Sequence, residues 1–371
     1  MKIGFDGKRA TQNLTGLGNY SRYLIRLLTK FHPQDQFIIY ALRNPSPKLK
    51  IPGIDYKYPR RQFFKSQWRS YGIVKTLSHD KIDLFHGLSN EIPHGLKKAR
   101  IASVVTIHDL IFIRYPQYFS FFDRLIYNFK FRHAALHADR IIAISEQTKQ
   151  DLIKYFGVKE DKIEVIYQNC DPIFHHPVNQ GVKDEVKVKY KLPEKFLLNV
   201  GTIEERKNLM LIAKALLRIE HIHLVVVGRE TKYTRTVKHF IQQNNLLDRV
   251  HFLQNVSLLD LPAIYQQAEV FIYPSRFEGF GIPIVEAMHS GIPVIAARGS
   301  CLEEAGGPET IYVSPDDDVD LAAQIKSIME GSEKRLNMIN SGRQYLEKFN
   351  GKRISDQTMH LYQNVINNAE R

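Results

Sequence analysis

Short runs of Val, Ile, Leu and aromatic residues alternate with segments of helical period along almost the whole chain. In the first half the runs are KIGFDG, QFIIYAL, DLFHGLS, RIASVVTIHDL, DRIIAIS and KIEVIYQN. In the second they are KFLLNVG, IHLVVVG, RVHFLQN, EVFIYPS, PVIAA and TIYVSP. Near-continuous apolar runs, rather than strict alternation, describe strands buried on both faces. Between them GNYSRYLIRLLTKF, SEQTKQDLIKYFG, KNLMLIAKALLRI, SLLDLPAIYQQA and PIVEAMHSG read as helices. The alternation predicts an α/β fold of two doubly wound, Rossmann-like parallel sheets facing across a cleft. The pattern breaks in CDPIFHHPVNQGVKDEV, which places the boundary between domains 1–177 and 178–352. From about residue 333 onward the chain reads as helix. In open parallel sheets ligands bind beyond the carboxyl ends of the strands, so the chemistry is sought in the strand-to-helix loops.

Composition narrows the class. A chain of 371 residues with 43% hydrophobic and 25% charged side chains fits two soluble globular domains. It has no apolar stretch of about 20 residues, and MKIGFDGKRA lacks the apolar core of a secretion signal. Cys170 and Cys301 are the only cysteines, so neither a disulfide framework nor a cysteine-rich zinc site is expected. A cytoplasmic protein is expected. The net charge of +13 is one-sided: residues 1–175 hold 28 basic and 15 acidic side chains, the remainder 24 of each. Such a field points to a polyanionic partner, either an anionic membrane surface or a phosphorylated substrate. No zinc-finger spacing, RRM-like aromatic motif or basic heptad helix is present, and no nucleic-acid partner is expected.

Two loops carry the strongest chemistry. SRFEGFGIPIVEA sets Glu278 and Glu286 eight residues apart, around Gly279, Gly281 and Pro283. Pro283 suits the first helical position, so the amides near Phe280, Gly281 and Ile282 form a helix-start anion site. Glu278 then lies in the loop and Glu286 about one turn into the helix. The bland reading, a turn residue and a solvated helical glutamate, explains the glycines poorly. In NVGTIEERKNL, Gly201 permits a tight turn, and Arg206 and Lys207 stand at a helix start where acids are usual. Two cations beside helix-terminal amides suit a diphosphate. In the first domain NLTGLGNYSRYL places Gly16 and Gly18 before a helix, a weak phosphate-loop signal alone. VVTIHDLIF ends a strand at His108 and Asp109, a catalytic, orienting or merely structural pair. The acids of SPDDDVDLAAQI read as a helix N-cap rather than a metal site. No His spacing fits a catalytic metal.

These segments together resemble glycosyltransferase family 4, and the likeness runs from about residue 3 to 350. SRFEGFGIPIVEAMHSGIPVIAARGSCLEEAGG is similar to its E-x7-E donor segment, GTIEERKN to its phosphate loop, GLGNYSRYL to its glycine loop and TIHDLIFIRYP to its histidine segment. IYQNCDP departs from the usual linker, with Cys170 where a small residue is common. The resemblance implies the GT-B fold, with a C-terminal helix (about 353–371) crossing back to the first domain. It also implies a retaining, metal-independent hexosyltransferase without a cofactor, using a nucleotide-sugar donor. Glu278 would hold the transferred sugar and Glu286 the ribose. Arg206 and Lys207 would neutralise the diphosphate. The amides of Phe280, Gly281 and Ile282, with Gly18 and Gly201, would cradle it, and His108 would meet the sugar near the reacting carbon. Likeness to bacterial O-antigen mannosyltransferases points to GDP-mannose. The acceptor would be a glycan or lipid-linked saccharide in cell-surface polysaccharide synthesis. QYFSFFDRLIYNFKFRHAALHADR and RRQFFKSQWR, aromatic and basic, would bring the first domain to the inner face of the plasma membrane. A nucleotide-sugar epimerase or hydrolase on the same fold, or a non-catalytic scaffold, are the alternative readings.

Overall fold

The computed structural model describes residues 1–59 and 67–369. Most of RRQFFKSQWR, residues 60–69, lies outside the described residues. The chain divides into two compact units, Met1–Gln168 with Phe349–Arg371, and Asn169–Lys348. The division falls several residues before the expected one because the segment after it packs into the second unit. There Phe174 sits edge-on to Tyr265 at 5.5 Å, and the Val178 amide donates to Gln266 Oε1 at 2.9 Å. The GVKDEV of the expected break is part of a helix, Gln180–Tyr190.

The first unit is built on a seven-stranded parallel sheet of β1 (Lys2–Asp6), β2 (Gln36–Tyr40), β3 (Asp55–Lys57), β4 (Leu84–Gly87), β5 (Ala102–Ile107), β6 (Arg140–Ala143) and β7 (Ile163–Val165). Their order is β3-β2-β1-β4-β5-β6-β7. Ile3 of β1 pairs with Phe37 on one side and Leu84 on the other. All six residues of β5 are buried, as a strand covered on both faces requires. Each apolar run expected in this half forms a strand. Only β3 was unexpected, a three-residue edge strand, Asp-Tyr-Lys, too short and polar to carry a pattern.

The second unit repeats the plan with β8 (Phe196–Val200), β9 (His223–Val227), β10 (Val250–Leu253), β11 (Val270–Tyr273), β12 (Val294–Ala297) and β13 (Ile311–Val313), ordered β10-β9-β8-β11-β12-β13. Its core joins Leu197, Leu224, Val226, Val270 and Ile272 to Leu209, Ile212, Val237, Leu321 and Ile325 of the covering helices. The Asp-rich segment is the N-cap expected: Asp317 accepts from the amides of Val319 and Asp320, opening helix Asp318–Glu330.

The last helix, Gly351–Ala369, belongs to the first unit. It packs against helix Gly16–Phe31 and β5, burying Ile354, Met359, Leu361, Tyr362 and Val365. One polar chain runs through this apolar contact. The Tyr362 hydroxyl lies 2.6 Å from His86 Nδ1, His86 Nε2 lies 2.8 Å from Thr106 Oγ1, and Thr106 meets the Tyr20 hydroxyl at 2.9 Å. Burial, with the nearby His108, drives His86 down to about 3, so its ring is neutral. A buried polar group left without its partner costs about 1–3 kcal/mol. Tyr362→Phe is therefore expected to lower unfolding stability by about that amount in urea denaturation. A stability equal to wild type would show that His86 finds another partner.

Candidate functional site

Strand order reverses between β8 and β11, so the loops leaving their carboxyl ends emerge side by side. One loop runs from Gly201 through a 3-10 turn at Glu205–Lys207 to Asn208. The other follows Tyr273 and ends at Gly281, the N-cap of helix Ile282–His289. Backbone and side-chain bonds join them. The Arg276 amide donates to the Arg206 carbonyl at 2.9 Å, and Arg206 Nη1 donates to the Phe277 carbonyl at 2.5 Å. Asn208 takes a left-handed φ of 58°, which Asn tolerates better than most residues. From there its amide donates to the carbonyls of Pro274 and Pro315, at 3.2 and 2.7 Å.

Glu278 is the centre of this arrangement. Its Oε1 receives Arg206 Nη1 at 2.8 Å, Lys207 Nζ at 2.5 Å, Ser275 Oγ at 2.6 Å and the Tyr273 hydroxyl at 3.1 Å. Lys207 Nζ also donates to the Tyr273 hydroxyl at 2.5 Å and stands 4.9 Å from the centre of that ring. Burial would raise the Glu278 carboxyl, but Arg206, Lys207 and the Ser275 hydroxyl outweigh it and hold it at about 2. Burial conversely lowers Lys207, with Glu278 opposing the shift. The site is thus an ionised carboxylate under two buried cations, with a second carboxylate, Glu204, 3.5 Å from Arg206 Nη2 at its rim.

Glu286 has the opposite environment. The Tyr265 hydroxyl donates to its Oε2 at 2.8 Å. Burial, opposed by that bond and reinforced by Asp171, pushes its carboxyl up to about 7. Two glutamates eight residues apart therefore differ in charge near neutral pH. Gly281 is what lets the loop turn into the helix between them. Its φ is 119°, and a Cβ there would stand 2.9 Å from Leu302. Phe280 is buried, and the Cys301 thiol braces the loop from beneath by donating to the carbonyls of Glu278 and Phe280, at 3.0 and 3.3 Å. Gly201 leaves β8 with the stem of Lys207 nearest to it.

Gly18 and His108 lie in the first unit. Gly18 is in the first turn of helix Gly16–Phe31, where its amide donates to the Thr15 carbonyl at 2.9 Å. A Cβ there would fall 1.9 Å from the Asn13 carbonyl, so glycine is required by packing whatever else it does. His108 follows β5 directly and is buried. Its Nε2 bonds the Leu88 carbonyl at 3.0 Å, and Tyr20 lies edge-on to its ring at 4.7 Å. Burial lowers it to about 4 despite the Leu88 bond, so the ring is neutral, protonated on Nε2 and an acceptor at Nδ1. The structure brings Arg206, Lys207 and Glu278 into contact and sets Gly281, Ile282 and Glu286 on the adjoining helix start. Sequence reasoning missed Tyr273, Ser275, Tyr265 and Cys301. Ser275 stands in the quoted motif; the others show no signal beyond an apolar pattern.

The raised Glu286 makes stability depend on pH. Between its ordinary 4.5 and about 7 the folded protein keeps a proton that the unfolded chain has released, so stability falls as pH rises through that window. Glu278 acts in the opposite sense, losing its contribution as pH falls from 4.5 to about 2. Glu286→Gln, a permanently neutral mimic, should melt above wild type at pH 8 and with it at pH 4.5. The gap should be on the order of 3 kcal/mol or less. Parallel melting curves across that range would refute the assignment.

Comparison with known proteins identifies the family and the fold. The Glycosyltransferase Family 4 model matches residues 15–172 and the Glycosyl transferases group 1 model residues 182–345. The chain is 27% identical to O-antigen chain mannosyltransferase B of Escherichia coli, over 98% of this chain and 99% of the relative. It is 30% identical to O-antigen chain mannosyltransferase RfbU of Salmonella typhimurium, over 60% of each. Among solved structures, Anabaena Alr3699/HepE in complex with UDP and glucose superposes with a TM-score of 0.77 at 20% identity, covering 98% of this chain and all of that one. The fold is that of the GT-B glycosyltransferases. With both family models matched in turn, one over each sheet, the chain belongs to the glycosyltransferases, a family 4 domain followed by a group 1 domain.

Proposed function

We propose that this enzyme moves a hexose, mannose from GDP-mannose, to a glycan or lipid-linked saccharide acceptor in cell-surface polysaccharide synthesis. The observation that carries the reading is the convergence of Arg206 and Lys207 on one oxygen of Glu278, at 2.8 and 2.5 Å. Relatives named as mannosyltransferases, two of them for O-antigen chains, support the choice of sugar and pathway. The solved neighbour with UDP and glucose supports a nucleotide-sugar donor.

The roles follow from charge. A diphosphate leaving group gains negative charge as its bond to the sugar breaks, and fixed cations stabilise that charge without reorganising. Arg206 offers a planar fork and Lys207 a point charge, so this chemistry does not require a metal ion. Glu278 keeps both cations in place and offers Oε2 to hydroxyls of the transferred sugar. Glu286 and Tyr265 hold the ribose. The helix start at Gly281 and Ile282 receives a phosphate oxygen, and His108 Nδ1 accepts from a sugar hydroxyl. Transfer retains configuration by front-face attack: the acceptor oxygen bonds the anomeric carbon as the phosphate oxygen leaves, and that oxygen takes the acceptor's proton.

Glu278→Ala is expected to lower kcat for mannosyl transfer by about 10²–10³-fold or more. Nucleotide diphosphate binding should persist or tighten, because two cations lose their partner. Arg206→Ala should weaken both. Calorimetry with GDP, UDP and ADP, beside product formation from each nucleotide-sugar, reads these effects and the base preference together. Wild-type transfer by Glu278→Ala would sink the site assignment, and tighter binding of UDP or ADP than GDP would sink the donor.

The first unit supports an acceptor presented at an anionic membrane. Helix Phe121–His137 turns Ala134 and Ala135 into the core, with Tyr127 and Phe131 packed on Phe112. Its other side leaves Phe121, Phe122, Leu125, Ile126 and Phe129 each at least half exposed, beside Arg124 and Lys130. No helix among the described residues is long and apolar enough to cross a membrane, so attachment would be interfacial. The enzyme should float with vesicles containing anionic lipid and release with salt, and Phe122→Glu with Phe129→Glu should abolish flotation. Equal behaviour with neutral vesicles would refute the membrane role.

A further inference from the structure

A second cluster, in the unit that carries the Glu278 site, uses residues that the transfer reaction does not. Cys170 is buried at the start of that unit. Asp171, whose carboxylate accepts from the Ile173 amide at 3.1 Å, opens a 3-10 turn, Pro172–His175. The turn brings His175 Nε2 to 3.7 Å from Cys170 Sγ. His289, in the last turn of helix Ile282–His289, lays its ring over His175 with centroids 3.9 Å apart and planes at 19°. One ligand atom from each of the three residues lies within 4.8 Å of the other two.

We propose that Cys170, His175 and His289 form a binding site for a borderline-soft divalent metal ion, Zn²⁺ above all, separate from the groups that bind the donor. The spacing suits the ion. Tetrahedral zinc, at about 2.3 Å from sulfur and about 2.0 Å from nitrogen, separates such ligands by roughly 3.5 Å, close to the 3.7 Å present. Rotation of the stacked rings closes the rest. The donor set selects too: one thiolate and two imidazoles favour zinc and its neighbours over Mg²⁺ or Ca²⁺, which take oxygen.

A supporting residue orients one ligand. The Cys170 amide donates to Asn169 Oδ1 at 2.7 Å, which identifies that atom as the oxygen. The same oxygen lies 3.2 Å from His289 Nε2, so Nε2 carries the proton and Nδ1 the lone pair. An outer acceptor fixing the tautomer in this way is a recurrent companion of metal-ligating histidines. Binding forms a metal–sulfur bond and releases the Cys170 thiol proton to solvent. Three protein ligands leave a fourth position for a small exogenous ligand.

The site is placed to influence the donor helix. His289 is three residues beyond Glu286, and Phe174 of the ligand-bearing turn packs on Tyr265, the partner of Glu286. An ion joining the turn to the helix would tie down both sides of Glu286.

Titration of the reduced, metal-free protein with Co²⁺ tests the proposal. One equivalent should give a near-ultraviolet thiolate-to-cobalt band with visible bands of tetrahedral coordination, and one equivalent of Zn²⁺ should bleach both. Cys170→Ser should lose the thiolate band, and His175→Gln and His289→Gln should each weaken binding at least about 10-fold. Cys301→Ala should keep every band. His175 is partly exposed, so its variant tests the site without disturbing the core. No thiolate band in wild type, a band that survives Cys170→Ser, or unchanged affinity in His175→Gln would overturn the proposal.

Discussion

Each sheet begins at its centre and reverses direction beside its first strand, and the site depends on that reversal. The first strand of each unit, β1 or β8, has the next two strands on one side and the fourth on the other. Helices must cover opposite faces on either side of the reversal, so the loops leaving the two central strands part and leave a crevice. In the second unit the loop after β8 supplies Arg206 and Lys207, and the loop after β11 supplies Ser275 and Glu278. The residues meet although about 70 positions separate them. The parallel pairing of Val270 with Leu197 and Phe271 with Leu198 brings the two loops side by side, and the bonds between the loops fix them there.

Burying three charges in that crevice imposes its own conditions. An isolated buried carboxylate or ammonium would shed its charge, and Glu286, bonded by the Tyr265 hydroxyl but repelled by Asp171, goes that way. Glu278 stays ionised because four donors converge on one oxygen. The two glutamates of one short segment are thereby driven apart in charge, a separation of environments of the kind that gives paired acids different tasks. The charged one is paired with Arg206 and Lys207, and the near-neutral one is bonded by the Tyr265 hydroxyl.

The central strands were legible in the sequence because they are buried on both faces, and burial writes itself as uninterrupted Val, Ile and Leu. β3 was not, since three residues at an edge need no such pattern. The helix start at Gly281 was legible because Gly and Pro mark backbone geometry directly. The first-unit boundary was read too late, since the turn at Pro172–His175 and the polar helix after it look like a linker although both pack inward. The charged members of the site were legible by type, as arginine, lysine and glutamate are unusual in a glycine-rich loop. Tyr273, Tyr265 and Cys301 were hidden by their own apolar character. His289 was hidden from Cys170 and His175 by sequence distance.

By itself the sequence determined the two α/β sheets, the glycine-rich strand-to-helix loops and the family, because periodicity and backbone-setting residues act locally. The tertiary structure decided which residues share a space. It decided that Arg206 and Lys207 meet on Glu278, that the Glu286 carboxyl is pushed up to about 7, and that Gly18 is fixed by the Asn13 carbonyl. Charge state depends on burial and on partners far away in the chain, and these exist only once strand order has brought the loops together.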